Sequence, residues 1–437
     1  MSIHVVKRSD AGPRAAARPT APPPGQGAQG QPPPRQAWLD ALRGMAALVV
    51  VFEHALDPLF PEVRAHVSPW FDFGQYGVMV FFLVSGYVVP ISLERGGSVG
   101  RFWVNRVFRL YPLWIVAATV GTIFALLPVY WALPGQVAAQ PVTSAVAHLT
   151  MLQDLLQVTS VVNVFWTLSY EMLFYLLVTA MFVFGVHRAS TASAVGLAAA
   201  AVLAGGVLPA GALSRGLGTG TVVLATVVVL AVSAVAIASG DRRVRLCGAA
   251  VLAVLAVSLL GANSRVGAWQ SLAILATMFA GTALHRLDHG RLRAGAGRLI
   301  VLVPVASIGA AMWFGPGWGM PEDRAWAYRW SWSAAVAAAW LTFLVARALR
   351  RRALPRWLAG LGLISYSVYL LHPLAIQVVR RLTADPAQIS LAGRLGWAAL
   401  LLAVVLGTAA LGYRYIERPA QALGRRLTHA RRPDPAE

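Results

Sequence analysis

Predominantly apolar stretches close to twenty residues long recur from near the start of the chain almost to its end. They fall at 38–56, 74–93, 110–131, 165–186, 191–212, 219–239, 244–261, 266–284, 297–315, 327–347, 358–379 and 393–413. A helix needs about 20 such residues to cross a bilayer. The blocks predict an all-α fold, a polytopic transmembrane helix bundle of about 10–12 spans. The range reflects 191–284, where short segments are interrupted by glycine. Composition supports this reading. Apolar residues make up 57% and charged residues 12%, about half the ~25% usual in soluble domains, and mean hydropathy is +0.63. So little charge does not cover a water-facing surface of this size. A disordered chain, a disulfide scaffold and an ordinary soluble enzyme are excluded. Cys247 is the only cysteine, which excludes an intrachain disulfide and a cysteine-based zinc site.

The formal net charge of +20 is distributed as topology. Lys7 is the only lysine, and the arginines gather between apolar blocks. The N-terminal tail, 94–109, 240–246, 285–298, 348–357 and 414–432 are basic, whereas 57–73, 132–164, 213–218, 262–265 and 316–325 are not. Cationic loops stay on the cytoplasmic side, so both termini are expected there, in a chain whose surroundings are membrane lipids. Arg380 and Arg381 break the pattern. No nucleic-acid-binding motif accompanies the charge, and no nucleic acid partner is expected. Residues 1–36, rich in Pro, Gly and Arg, are expected to be a disordered cytoplasmic tail, with no apolar signal segment directly after the start. Residues 37–420 then form the membrane domain, and 421–437 a basic cytoplasmic C-terminal tail.

Ionisable groups inside spans are costly and mark function. In the first block Arg43 and His54 are eleven residues apart. At 3.6 residues per turn they share a face, about 16 Å apart along the axis. That face presents a cation near one surface and an imidazole deeper in, and Glu53 stands beside it. The second block, GVMVFFLVSGYVVP, holds the small residues Gly77, Ser85 and Gly86, followed by Tyr87. Such residues suit close helix packing or a place near substrate. In RFWVNRVFRLYP, Arg106 and Arg109 are i, i+3 neighbours before Pro112, and guanidinium forks match phosphate oxygens. Glu171 lies in VFWTLSYEMLFYLL, with Tyr175 four residues on. A carboxylate there must be protonated, paired or solvated in a cavity; a pairing partner has to come from another helix, and His54 is the economical choice. In ISYSVYLLHPL, Ser365, Tyr369 and His372 form one polar stripe, which suits a cavity wall. No metal-binding spacing, Walker loop or dinucleotide-binding pattern occurs, and no metal is expected.

Together these segments resemble the acyltransferase 3 family of integral membrane O-acyltransferases. The carrying residues are Arg43-x10-His54, FFLVSGY at 81–87, RVFRLYP at 106–112, WTLSYEMLFY at 166–175 and ISYSVYLLHP at 364–373, in the family's order. The resemblance covers about 38–419. It implies transfer of an acyl group, commonly acetyl, from acyl-CoA as co-substrate to a hydroxyl of a glycan or glycoside acceptor, with no permanently bound cofactor. His54 is then the general base, with Glu171 orienting it. Arg43, Arg106 and Arg109 hold the CoA phosphates. Ser85, Tyr87, Tyr175, Ser365, Tyr369 and His372 line the substrate cavity. Direct transfer and a covalent acyl intermediate on Ser85 or a tyrosine both stay open. A bacterial plasma membrane is the implied location. The competing reading is a secondary transporter or flippase for a sugar-linked substrate. It also needs many spans and a few buried charges, but often shows internal inverted repeats.

Overall fold

The computed structural model describes residues 36–127, 134–264, 267–315, 322–352, 355–383 and 385–429. The α-helices are α1 (Ala37–Leu59), α2 (Pro61–Val67), α3 (Phe73–Gly96), α4 (Val99–Leu126), α5 (Gly135–Ala139), α6 (Pro141–Leu149), α7 (Trp166–Val183), α8 (Ser190–Leu203), α9 (Ala212–Leu217), α10 (Thr219–Ala238), α11 (Arg242–Ala262), α12 (Ala268–Asp288), α13 (Ala294–Arg298), α14 (Leu302–Phe314), α15 (Glu322–Ala348), α16 (Arg356–Thr383), α17 (Leu391–Gly412) and α18 (Arg418–His429). A π-turn, Tyr413–Glu417, joins α17 to α18. No strand occurs among the described residues.

Each apolar block of the sequence carries a helix, and nine helical stretches among the described residues are long and apolar enough to cross a membrane. The remaining blocks correspond to α1, α8 and α12. The α8 helix has only 14 residues. The α1 helix carries Asp40, Arg43, Glu53 and Asp57, and α12 carries Gln270, His285, Arg286 and Asp288. Such groups are tolerated in a membrane where other helices enclose them. The α12 helix is enclosed all round, since every residue from Ala268 to Arg286 is buried. The α10 helix buries only Val222, Val223, Thr226 and Ser233, so most of its aliphatic surface is left for lipid. The protein is an integral, multi-pass helical bundle with α12, α3 and α1 inside it.

Glycines set the closest crossings. The α1 and α16 helices run the same way, with Gly44 against Leu361 and Gly362, and Gly362 against the Asp40 carbonyl. The α3 helix runs opposite to α1, with Gly77 on Val50 and on the Ala46 carbonyl. At Gly86 there is no room for a Cβ, because the Met278 carbonyl of α12 is in the way. Thr282 Oγ1 also donates to the Gly86 carbonyl at 2.7 Å. Gly86 of the SGY sequence is therefore a packing residue, of the kind that lets membrane helices touch backbone to backbone.

Charges gather at the two ends of the bundle. At the end where α3, α12 and α15 finish, Tyr87 donates its hydroxyl to Asp288 Oδ2 at 2.9 Å. Arg347 spans both Asp288 oxygens at 2.8 and 2.7 Å, Arg350 reaches the same carboxylate at 3.2 Å, and Arg286 pairs with Glu94. We call this the basic end. At the opposite end Arg64 of α2 folds back onto α1, pairing with Glu53 and, at 3.0 Å, with Asp57. Arg380, an exception to the charge pattern, lies 3.9 Å from Asp57, and Arg394 of α17 pairs with Glu62. These cations sit beside carboxylates, so they add little net charge to that end. The predicted N-terminal tail lies outside the described residues except for Gln36. The segment 421–437, read from sequence as a tail, is helical as far as His429 and packs on α4, with Gly424 against Phe108.

Candidate active site

The parallel register of α1 and α16 brings His54 and His372 together, each ten residues beyond the glycine that sets the crossing. His54 Nδ1 lies 2.8 Å from His372 Nε2, and the rings stack with centroids 5.1 Å apart and planes 12° from parallel. His372 is wholly buried, and its Nδ1 donates to the Val368 carbonyl at 3.0 Å. Both of its ring nitrogens are thus engaged, whereas His54 Nε2 has no partner among the described residues. Tyr369, one turn before His372, stands with its ring 5.9 Å away. Its hydroxyl meets Thr167 Oγ1 at 3.0 Å, which ties α16 to α7 at this depth. Phe81 of α3 closes on the Tyr369 ring at 5.5 Å. Arg64, Asp57 and Arg380 are the charged groups that act on His54. Where α2 turns into α3, burial raises the Asp72 carboxyl above the usual range, although Gln75 N–H and Arg64 pull it down.

A second group lies nearer the basic end. Tyr175 donates its hydroxyl to Glu171, and Arg106 lies over the Tyr175 ring, 5.3 Å from its centroid, while donating to Ser92 Oγ at 2.9 Å. Arg43 has Arg109, Asp40, Glu171 and Glu417 as its charged neighbours. Glu417 is buried and accepts from Ser367 Oγ of α16. Tyr366 of α16 donates to the Leu110 carbonyl at 2.8 Å. Three arginines from two helices therefore lie among three carboxylates, Asp40, Glu171 and Glu417. Arg43, Arg106 and Arg109 are each half-buried.

The pairing of Glu171 with His54 expected from the sequence does not form. His54 takes His372, and Glu171 takes Tyr175. Thr167 and Tyr369 mark a common depth. Glu171 is four residues from Thr167 towards the basic end and His372 three residues from Tyr369 the other way, which separates them by about 10 Å at 1.5 Å per residue. Tyr87 is buried and tied to Asp288 at the basic end. Ser365 gives its hydroxyl to the Gly362 carbonyl of its own helix at 2.9 Å. Ser85 is half-buried one residue before the Gly86 crossing. Sequence reasoning did not place Arg64, Thr167, Tyr366, Ser367 or Glu417. Glu417 was visible as a charge near the end of the last block. Its inward aim comes from the π-turn, where Arg418 N–H reaches back to the Tyr413 carbonyl and Pro419 has no N–H to offer Tyr415.

A polytopic helical membrane bundle with a buried histidine pair at one depth and an arginine–carboxylate group at another is the class that fold and site define. The chain belongs to the acyltransferase 3 family, whose model, described as an acyltransferase domain, matches residues 36–413. It is 30% identical over 154 residues to acyltransferase MdmB of Streptomyces mycarofaciens, covering 33% of this chain and 39% of that one. It is 37% identical over 83 residues to nodulation protein 10 of Rhizobium leguminosarum bv. viciae, covering 18% of this chain and 23% of the other. The matched part spans less than half the length of either relative. No solved structure matches the chain.

Proposed function

We propose that the protein is an O-acyltransferase of a bacterial plasma membrane. It moves an acyl group, acetyl in the first instance, from acyl-CoA to a hydroxyl of a sugar-bearing acceptor. Family membership and the name of one relative support acyl transfer. The sugar acceptor and the CoA donor rest on the resemblance of the motifs. The observation that carries the mechanism is the separation of the two groups along the bundle. One holds a nitrogen base whose neighbouring cations, Arg64 and Arg380, lie beside Glu53 and Asp57, and the other offers three arginines.

A hydroxyl is a weak nucleophile at neutral pH and needs a base. His54 Nε2 takes the acceptor hydroxyl proton as the oxygen attacks the thioester carbonyl carbon. The tetrahedral intermediate collapses with cleavage of the C–S bond, and the His54 imidazolium returns the proton to the departing sulfur. Products are the ester and CoA, and no further reactant is needed. Arg43, Arg106 and Arg109 hold the CoA phosphates through charge-assisted hydrogen bonds, with Glu171 and Glu417 holding the arginines apart. Glu171 serves the donor site and not the base.

The test is incubation of the membrane-embedded protein with radiolabelled acetyl-CoA and longer acyl-CoAs against a panel of glycosides and glycans. The expected result is a labelled ester on an acceptor hydroxyl, formed 10²–10⁴-fold more slowly by His54→Ala. Failure of every thioester to turn over with a broad panel would favour the transporter.

A further inference from the structure

We propose that His372 is a positioning residue that fixes the tautomer of His54. The inference rests on the reading of His54 as the base. A neutral imidazole carries one N–H, and the bond made by one ring nitrogen decides the state of the other. His372 lies inside the bundle, where an N–H left without an acceptor is costly. Its Nδ1 faces the Val368 carbonyl at 3.0 Å, so the proton belongs on Nδ1, and Nε2 is an acceptor. The group facing that acceptor is His54 Nδ1, 2.8 Å away. His54 must therefore carry its proton on Nδ1, which leaves Nε2 bare. The order of bonds runs from the Val368 carbonyl to His372 to His54 and ends on His54 Nε2, the nitrogen of the pair left without a partner among the described residues. The reverse assignment, His372 as base, fails because neither of its nitrogens is free.

The bond from His372 Nδ1 to the Val368 carbonyl, at 3.0 Å, stays within one turn of α16. Tyr369 is itself held by Thr167 and by the Phe81 ring, so the part of α16 that orients His372 is braced from α7 and α3. When His54 takes the acceptor proton it becomes a double donor. Its Nδ1–H then bonds His372 Nε2 as a charged donor, and such bonds are stronger than neutral ones.

Four variants and one spectrum test the proposal. His372→Leu removes the acceptor, and His372→Gln offers a side-chain oxygen in its place. Expected are a fall of about ten- to a hundredfold in kcat for His372→Leu with an unchanged KM for acyl-CoA, partial recovery in His372→Gln, and a double variant with His54→Ala no slower than His54→Ala alone. The ¹⁵N spectrum of histidine-labelled wild-type protein in bilayers should show His54 protonated on Nδ1, assigned by its loss in His54→Ala. In His372→Leu that signature should give way to a mixture of tautomers. A wild-type spectrum with His54 protonated on Nε2 overturns the proposal whether or not any variant folds. So does an essential His54 combined with wild-type kcat in His372→Leu. An active His54→Ala would instead remove the base reading beneath it, so the two failures are distinguishable.

Discussion

Arg43 and Arg109 repel each other, Asp40, Glu171 and Glu417 act on Arg43 with the opposite sign, and Arg106 lies over the Tyr175 ring. An anion that enters this group relieves the repulsion, which is why the arginines are assigned to the donor. Loss of one charge-assisted phosphate contact costs about 1.5–3 kcal/mol, roughly ten- to a hundredfold in affinity. Arg109→Ala should weaken acyl-CoA binding by that factor, measured by titration of the purified protein, and Arg109→Lys should recover only part of it because the planar fork is gone. Normal binding in a folded Arg106→Ala, Arg109→Ala double variant would refute the assignment. Glu171 gives a second test at this scale. Were it the partner of His54, Glu171→Gln and His54→Ala would act as one unit. With about 10 Å between them on the helix rise, and no shared partner, their effects on log(kcat/KM) should add to within a few tenths of a kcal/mol. The residue types at the site were legible in the sequence, because a Glu or His within an apolar block is conspicuous. Their partners were not. His54 and His372 are 318 positions apart, and only the packing of α1 on α16 joins them.

At the level of helices, hydropathy located the blocks well, because twenty apolar residues have few other uses. It failed where structure depends on neighbours. The α4 helix begins at Val99, ahead of the predicted 110, because Ser98 caps it and its arginine-bearing first turns pack against α18 rather than lipid. The segment between α6 and α7 was read only as a loop poor in charge. In the structure Met151–Leu156 are all buried, with His148 satisfied at both nitrogens by the Ser144 carbonyl and the Val161 N–H. Such irregular backbone is tolerated at membrane depth only where protein encloses it. The glycine crossings make the sharpest prediction here. Gly362 faces the Asp40 carbonyl and Gly86 the Met278 carbonyl, and neither backbone can yield as a flexible side chain would. Gly362→Ala and Gly86→Ala should each cost about 1–3 kcal/mol through overpacking, read as a lower melting temperature in detergent. Gly362→Ala should also lower kcat, since it shifts the register that joins His54 to His372. Gly86→Ala, on the α3–α12 contact, should act on stability with a smaller effect on kcat. Equal melting temperatures for both variants and wild type would contradict the crossings described.

For the molecule as a whole, the two ends differ in how their cations are matched. At the end holding α2, Arg64, Arg380 and Arg394 each lie beside a carboxylate. At the basic end Asp288 and Glu94 are shared among Arg286, Arg347 and Arg350, and the turn from α10 into α11 adds Arg242, Arg243 and Arg245 around the single carboxylate of Asp241. Unmatched cations are retained on the cytoplasmic side during insertion, so the basic end is predicted to face the cytoplasm, where acyl-CoA is made, and the histidine pair to lie towards the far surface. Cys247, exposed on α11, and a Gly240→Cys variant in a Cys247→Ser background report on one end. Gly240 has open space around it. Val63→Cys on α2, where the native side chain is exposed, reports on the other. In intact cells a membrane-impermeant maleimide should label Val63→Cys and leave Gly240→Cys and Cys247 untouched. In inverted vesicles the pattern should reverse for the two introduced cysteines. Labelling of Gly240→Cys from outside intact cells would invert the orientation. The arginine group would then face the compartment that lacks the donor, and the assignment of Arg43, Arg106 and Arg109 to CoA would fall with it.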